Sequence, residues 1–142
     1  MSEGRLGSGP SDAGFNDLAD RRDELGLPTA GSDGDNATLA KLVINGNTYY
    51  GINSSLQSPR TEITLTRVNA QTRTHAEAEV VQKAINDGNA GTAGIAEMWV
   101  DRDPCRACGA PGNGLRSLAR NLGVDELIVH GPSGTQIYTP TN

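Results

Sequence analysis

Four side chains of this 142-residue chain have the types and spacing that chemistry needs: His75 and Glu77 in Thr74-His75-Ala76-Glu77, and Cys105 and Cys108 in Pro104-Cys105-Arg106-Ala107-Cys108. One imidazole and two thiolates are borderline-to-soft donors of the kind that hold zinc. Three protein ligands leave a fourth tetrahedral position open to water, which is the ligand count of a catalytic zinc. Structural sites normally close all four. The chain has two cysteines only, so it has no disulfide framework, and Cys-x-x-Cys reads as redox or metal. No thioredoxin-like strand context precedes it and a His lies upstream, so metal is the better reading. His130, the other histidine, is a remote fourth ligand, because a His at the end of a strand is more often an ordinary loop-facing residue.

Both ligand groups fall at expected helix starts. The partial positive charge and unsatisfied N–H groups there favour thiolate over thiol. Cys105 and Cys108 stand at i and i+3, on one side of a single turn. Zinc held so lowers the pKa of its water toward ~7. Glu77 has two readings. Thr74-x-x-Glu77 is a capping box, and taken alone that structural role wins. Beside three zinc ligands, a carboxylate two residues after His75 is better read as a proton shuttle. Glu79 is its competitor and is expected to point away, on the far side of the next turn.

The elements that must position these groups can be read in order. Leu39–Ile44 and Thr48–Asn53 flank Asn45-Gly46, the strongest short hairpin signal, and give β1 and β2. Gln57 to Ala70 is a polar connection in which Thr61–Val68 offers a short extended piece. Thr74–Asp87 reads as a helix with Val80, Val81, Ala84 and Ile85 on its apolar face. Ile95–Val100 is β3, with Trp99 packed in it. Asp103 can N-cap a turn opened by Pro104. After a Gly-rich interruption, a helix runs from Leu115 to Leu122 and stops at Gly123. Glu126–His130 and Thr135–Tyr138 are β4 and β5, joined too tightly for a crossover and so antiparallel. The order β-β-α-β-α-β-β gives a sheet covered by helices over residues 37–142.

Residues 1–36 are Gly-, Ser- and Asp-rich, with a sparse apolar stripe at Phe15, Leu18, Ala19 and Leu25. Composition favours mostly flexible chain there, and a short helix docked on the domain is the alternative. This segment holds three Arg and eight acidic residues, whereas residues 37–142 hold nine of each sign. The net charge of −5 therefore belongs to the N-terminal part and neither excludes nor supports a polyanionic partner for the rest. No apolar run reaches membrane-spanning length and no membrane partner is expected. No basic-then-apolar start marks a secretory signal, so export would depend on something outside this sequence.

His75-Ala76-Glu77 followed by Pro104-Cys105-x-x-Cys108, between a hairpin and β3–β4, resembles the cytidine-deaminase superfamily over about residues 37–142. The resemblance implies an α/β three-layer fold: a mixed five-stranded sheet with helices on both faces. It implies Zn2+ on His75, Cys105 and Cys108, and Glu77 as the acid/base that expels ammonia. Ala76 matches the residue whose backbone contacts the base, and Asn53 resembles the Asn that positions the sugar. An antiparallel β4–β5 pair is similar to nucleoside deaminases and bacterial toxin deaminases. Val100-Asp101-Arg102-Asp103-Pro104-Cys105, Leu122-Gly123-Val124 and the Gly134-bearing hairpin look most like the C-terminal deaminase domains of bacterial polymorphic toxins. That likeness implies cytosine deamination in single- or double-stranded DNA by a monomeric toxin domain. Such a domain would be carried out in a larger secreted protein, would enter the target-cell cytoplasm, and would be blocked by an immunity protein.

Tyr50, Arg73, Asp103 and Arg106 are further candidate substrate contacts. Arg116 and Arg120 form an i, i+4 stripe for which a solvated helix face is at least as good a reading. A free cytidine or nucleobase deaminase would share the four site residues. A small zinc-binding module would need four protein ligands and would lose only a helix cap with Glu77, about 1 kcal/mol.

Overall fold

Leu39–Ile44 is apolar at every position but Lys41, because both faces of this strand are covered. The computed structural model describes residues 10–29, 37–53, 63–65, 75–101, 114–132 and 134–140. They form α1 (Pro10–Leu25), β1 (Leu39–Ile44), β2 (Asn47–Ile52), α2 (Ala76–Asn86), β3 (Ile95–Val100), α3 (Leu115–Leu122), β4 (Glu126–Gly131) and β5 (Gly134–Tyr138). The sheet order is β2-β1-β3-β4-β5. Only β3 and β4 are parallel, joined through α3, and the other neighbours, β4–β5 included, are antiparallel. The sheet is therefore mixed, as the element order predicts. Asn45 and Gly46 both have positive φ, 51° and 77°, the backbone of a two-residue hairpin turn.

Strand alternation splits the core into two layers. Ala40, Leu42 and Ile44 of β1, Met98 and Val100 of β3, and Leu127 and Val129 of β4 face α2 and α3. Val80, Val81 and Ala84 of α2 and Leu118 and Leu122 of α3 meet them, all fully buried. Leu39 and Trp99 face the other way, onto Leu18 of α1, with Phe15, Val43, Tyr50 and Ile52 at the margin. Gly14 lies so close to Trp99 that a Cβ there would overlap the indole, so a helix carrying any larger residue at this point would have to stand off. Helices thus lie on both faces. The segment before Ala37, which composition favours as mostly flexible, contributes a 16-residue helix.

Several boundaries differ from expectation by small amounts. β2 starts at Asn47 and ends at Ile52, and α2 spans Ala76–Asn86. Within the expected extended piece at Thr61–Val68, the described residues 63–65 form no strand. They dock on α2 instead, where Thr64 N donates to Gln82 Oε1 at 2.7 Å. The expected turn at Asp103–Cys108 lies outside the described residues.

Candidate active site

The carboxyl ends of β2, β3 and β4 gather at one edge of the sheet: Ile52 lies opposite Leu39, Ala40 opposite Val100, and Trp99 opposite His130. The first turn of α2 sits at this end. Gly51 lets it approach: a Cβ on Gly51 would come within 2.9 Å of the Ala76 carbonyl oxygen and of a Val80 methyl. Glu79, fully buried, then holds the strand end, its Oε1 accepting from Ile52 N at 2.8 Å. Lys83 donates to Tyr50 O at 2.6 Å and pairs with Glu79 at 4.0 Å. Glu79 is therefore a clasp between α2 and the outer edge of β2, its carboxylate occupied by backbone.

His75 is the N-cap of α2, with extended φ −89° and ψ 158° and no side-chain cap hydrogen bond. Ala76 is fully buried, and Glu77 is 2% exposed. With the cap at His75, Glu77 is the second helical residue, whereas a capping box needs its Glu at the third. The capping-box register is off by one, so that structural explanation of Glu77 falls away. What remains is a carboxylate buried in the positive first turn of a helix, two residues after an imidazole.

Asn53 follows β2 directly. Its Oδ1 accepts from Thr38 N at 3.0 Å and its own N–H donates to Thr38 O at 3.3 Å, so it also ties the two strand ends together. Tyr50 stands on the other side of the sheet. Its hydroxyl donates to Asp17 of α1, and the Arg21 guanidinium lies 5.0 Å from its ring centroid. Burial first, and then the Asp17 carboxylate, push its hydroxyl pKa up to about 12. The structure does not bring Tyr50 to His75 and Glu77. A cleft of about 160 Å3 runs beside it, walled by Arg21, Ile52 and Lys83, and neither His75 nor Glu77 lines it. Cys105, Cys108, Arg73, Asp103 and Arg106 lie outside the described residues.

His130 is no loop-facing residue. It is 8% exposed and stacks on Trp99 with ring centroids 5.0 Å apart. Its Nδ1 meets Thr135 Oγ1 at 2.7 Å and its Nε2 meets Glu97 Oε2 at 2.5 Å. Both ring nitrogens are engaged across β3, β4 and β5, which removes it as a fourth metal ligand.

Among the described residues no group of three or more His, Cys, Asp and Glu is placed to hold a metal. The donor types fit zinc: His75 opens α2 with no side-chain cap hydrogen bond, and both thiols lie in sequence between β3 and α3, outside the described residues. Sequence reasoning missed Arg22 and Asp101 at this same end. Arg22 Nε donates to Asp101 Oδ2 at 2.6 Å, and the two side chains are 3% and 8% exposed.

A model of MafB19-like deaminases matches residues 15–137. The chain belongs to the MafB19-like deaminase family. It is thus a hydrolytic deaminase of the superfamily that the His-Ala-Glu and Pro-Cys-x-x-Cys motifs resemble. The match begins inside α1, takes in β1 to β4 and ends within β5. The crystal structure of a cytidine deaminase from Burkholderia pseudomallei is similar over 87% of each chain, at 19% identity and a TM-score of 0.45. No curated protein matches the chain.

Proposed function

We propose that this deaminase uses zinc to convert cytosine to uracil in DNA, as the toxin domain of a bacterial competition system. The observation that carries the proposal is Glu77, buried in the first turn of α2 directly after the His75 cap. His75, Cys105 and Cys108 would hold the metal. When bound there, zinc supplies a hydrolytic nucleophile at neutral pH by lowering the pKa of a water toward ~7. Glu77 would take one proton from the water that adds at C4 and place it on ring N3; it would then take the second, from the resulting C4 hydroxyl, and place it on the departing N4 amine, so that cytosine and water become uracil and ammonia. The burial of Glu77 keeps its carboxylate out of bulk solvent, which favours this proton traffic.

A macromolecular substrate suits the sequence around the site. The sequence has long connections at 54–74 and 102–113, and they carry Arg73 and Arg106 beside the motifs. In this reading Asn53, at the end of β2, and Ala76, in the first turn of α2, would meet the nucleotide. Delivery into a target cell and restraint by an immunity protein belong to the same reading.

The test incubates zinc-replete protein with matched single-stranded DNA, duplex DNA, RNA and free cytidine, read by mass and sequencing, with Glu77→Ala alongside. Cytosine-to-uracil conversion in DNA, reduced at least 100-fold in the variant, is the expected result. Turnover of free cytidine alone would overturn the DNA assignment and leave a small-molecule deaminase.

A further inference from the structure

β2 is an edge strand, and two side chains of α2 occupy its outer side. Glu79 accepts from Ile52 N at 2.8 Å, and Lys83, one turn later, donates to Tyr50 O at 2.6 Å. Later residues of the helix thus meet earlier residues of the strand, so α2 and β2 run in opposite directions. The spacings match. Four helical residues rise about 6 Å, and two strand residues rise about 6.6 Å. The ion pair between Glu79 and Lys83, at 4.0 Å, holds both groups on this side of the helix.

The other contacts of α2 do not fix where it sits along the strand. Val80, Val81 and Ala84 hold it against the sheet, but aliphatic packing is non-directional. Gly51 lets the Ala76 carbonyl approach, which sets how near the helix comes. Glu79 and Lys83 act as two teeth that set its axial position. With both engaged, the turn that carries Glu77 falls at the end of β2, where Asn53 follows and is itself tied to Thr38 by two hydrogen bonds. A slip of one residue would move that turn by about 1.5 Å, more than the ~1 Å misplacement that costs an enzyme two orders of magnitude.

We infer that Glu79 and Lys83 are positioning residues for the deamination: they set the register of α2 on β2, and with it the place of Glu77 relative to Asn53. Neither touches substrate. The inference rests on the reading of Glu77 as the proton shuttle.

The experiment measures kcat and KM per folded molecule on whichever of DNA, RNA and cytidine the wild type turns over best, with chemical denaturation giving stability separately. Glu79→Ala removes one tooth. Its kcat is expected to fall about 10–100-fold while KM changes less than about threefold, the signature of misplaced chemistry rather than lost binding. Glu79→Gln keeps an oxygen acceptor for Ile52 N and should restore kcat to within about threefold of wild type. Lys83→Met removes the other tooth from a partly exposed position and should lower kcat about tenfold. Gln82→Met is the control, since Gln82 binds Thr64 and Asn86 from the same helix rather than β2. It should lower stability and leave kcat unchanged. Wild-type kcat in folded Glu79→Ala, or in Lys83→Met where Glu79→Ala does not fold, would overturn the inference. So would a loss in Glu79→Gln as deep as in Glu79→Ala, or an equal loss in Gln82→Met, which would reduce the pair to general stabilisation. Glu77→Ala runs alongside: activity retained there would overturn the reading of Glu77, and the inference with it, whereas an inactive Glu77→Ala beside a fully active Glu79→Ala would overturn the inference alone.

Discussion

The two faces of the sheet are built on different principles. Toward α2 and α3 lies the larger aliphatic cluster, joined at the end of β2 by the buried Glu79 clasp, and that face seats the helix that carries His75 and Glu77. Toward α1 the aliphatic cluster is small and is laced with polar bonds: Arg22 to Asp101, Asp17 to Tyr50 and Lys41, and Lys41 5.3 Å from the Trp99 ring centroid. Aliphatic packing is non-directional and supplies most of the free energy of folding. Hydrogen-bonded charges add less net stability, but they specify position, since each has few satisfactory geometries. In this molecule the first face holds most of the buried apolar surface, and the second adds directional bonds at the ends of β1 and β3.

The sharpest way to break that division is Gly51→Val. The new side chain would strike the Ala76 carbonyl, displacing the first turn of α2. Stability should fall by about 2 kcal/mol and deaminase activity per folded molecule about 100-fold. Chemical denaturation with parallel kinetics checks both, and unchanged kinetics in the folded variant would show that the seat of α2 tolerates movement. Leu118→Ala comes next. It opens a cavity between α3 and the sheet and should cost about 3 kcal/mol, with kcat of the folded fraction within about twofold of wild type. A large kcat change would mean that the aliphatic face also positions.

Tyr50→Phe, on the polar face, has the smallest effect, about 1 kcal/mol. Its pH signature is more telling than its size. Burial alone would raise the Asp17 pKa, but hydrogen bonds from Tyr50 and Lys41 outweigh it and hold the carboxyl below its ordinary value. The contribution of Asp17 is therefore present at neutral pH and lost as pH falls below about 4. The raised Tyr50 pKa works in the opposite sense: its contribution is full below pH 10 and lost as pH rises toward about 12. Melting curves of wild type should show both losses. In Tyr50→Phe the alkaline one should shrink; an unaltered alkaline limb would assign it to other groups.

Much of this was legible because local and tertiary signals agree. Asn45-Gly46 demands a tight turn wherever it falls, and the continuous apolar run of β1 announces cover on both faces. The polar face was harder to read. Only Phe15 and Leu18 of α1 join the cluster beneath it, so its stripe is sparse, and Gly14 looks like a helix breaker until Trp99 is seen under it. A buried Arg22 cannot be told by pattern from a solvated one, because its partner lies 79 residues away. The clasp made by Glu79 and the strand-bound place of His130 are hidden for the same reason. Glu79 meets β2, and His130 meets Glu97 and Thr135 on neighbouring strands, and each is settled by a contact the helix or strand period does not encode. Glu77 was readable as chemistry only beside His75, and its competing cap failed by a single residue of register.

The span between Arg22 and Asp101 also bears on how the molecule assembles. Closing a loop of that length costs roughly 4 kcal/mol of chain entropy by length scaling alone. The β1–β3 pairing has to meet much of that cost first, since it is what brings Asp101 to Leu39. Contacts of such high sequence separation are rewarded late in folding. The bond from Arg22 to Asp101 therefore adds to a register that the strands have already set.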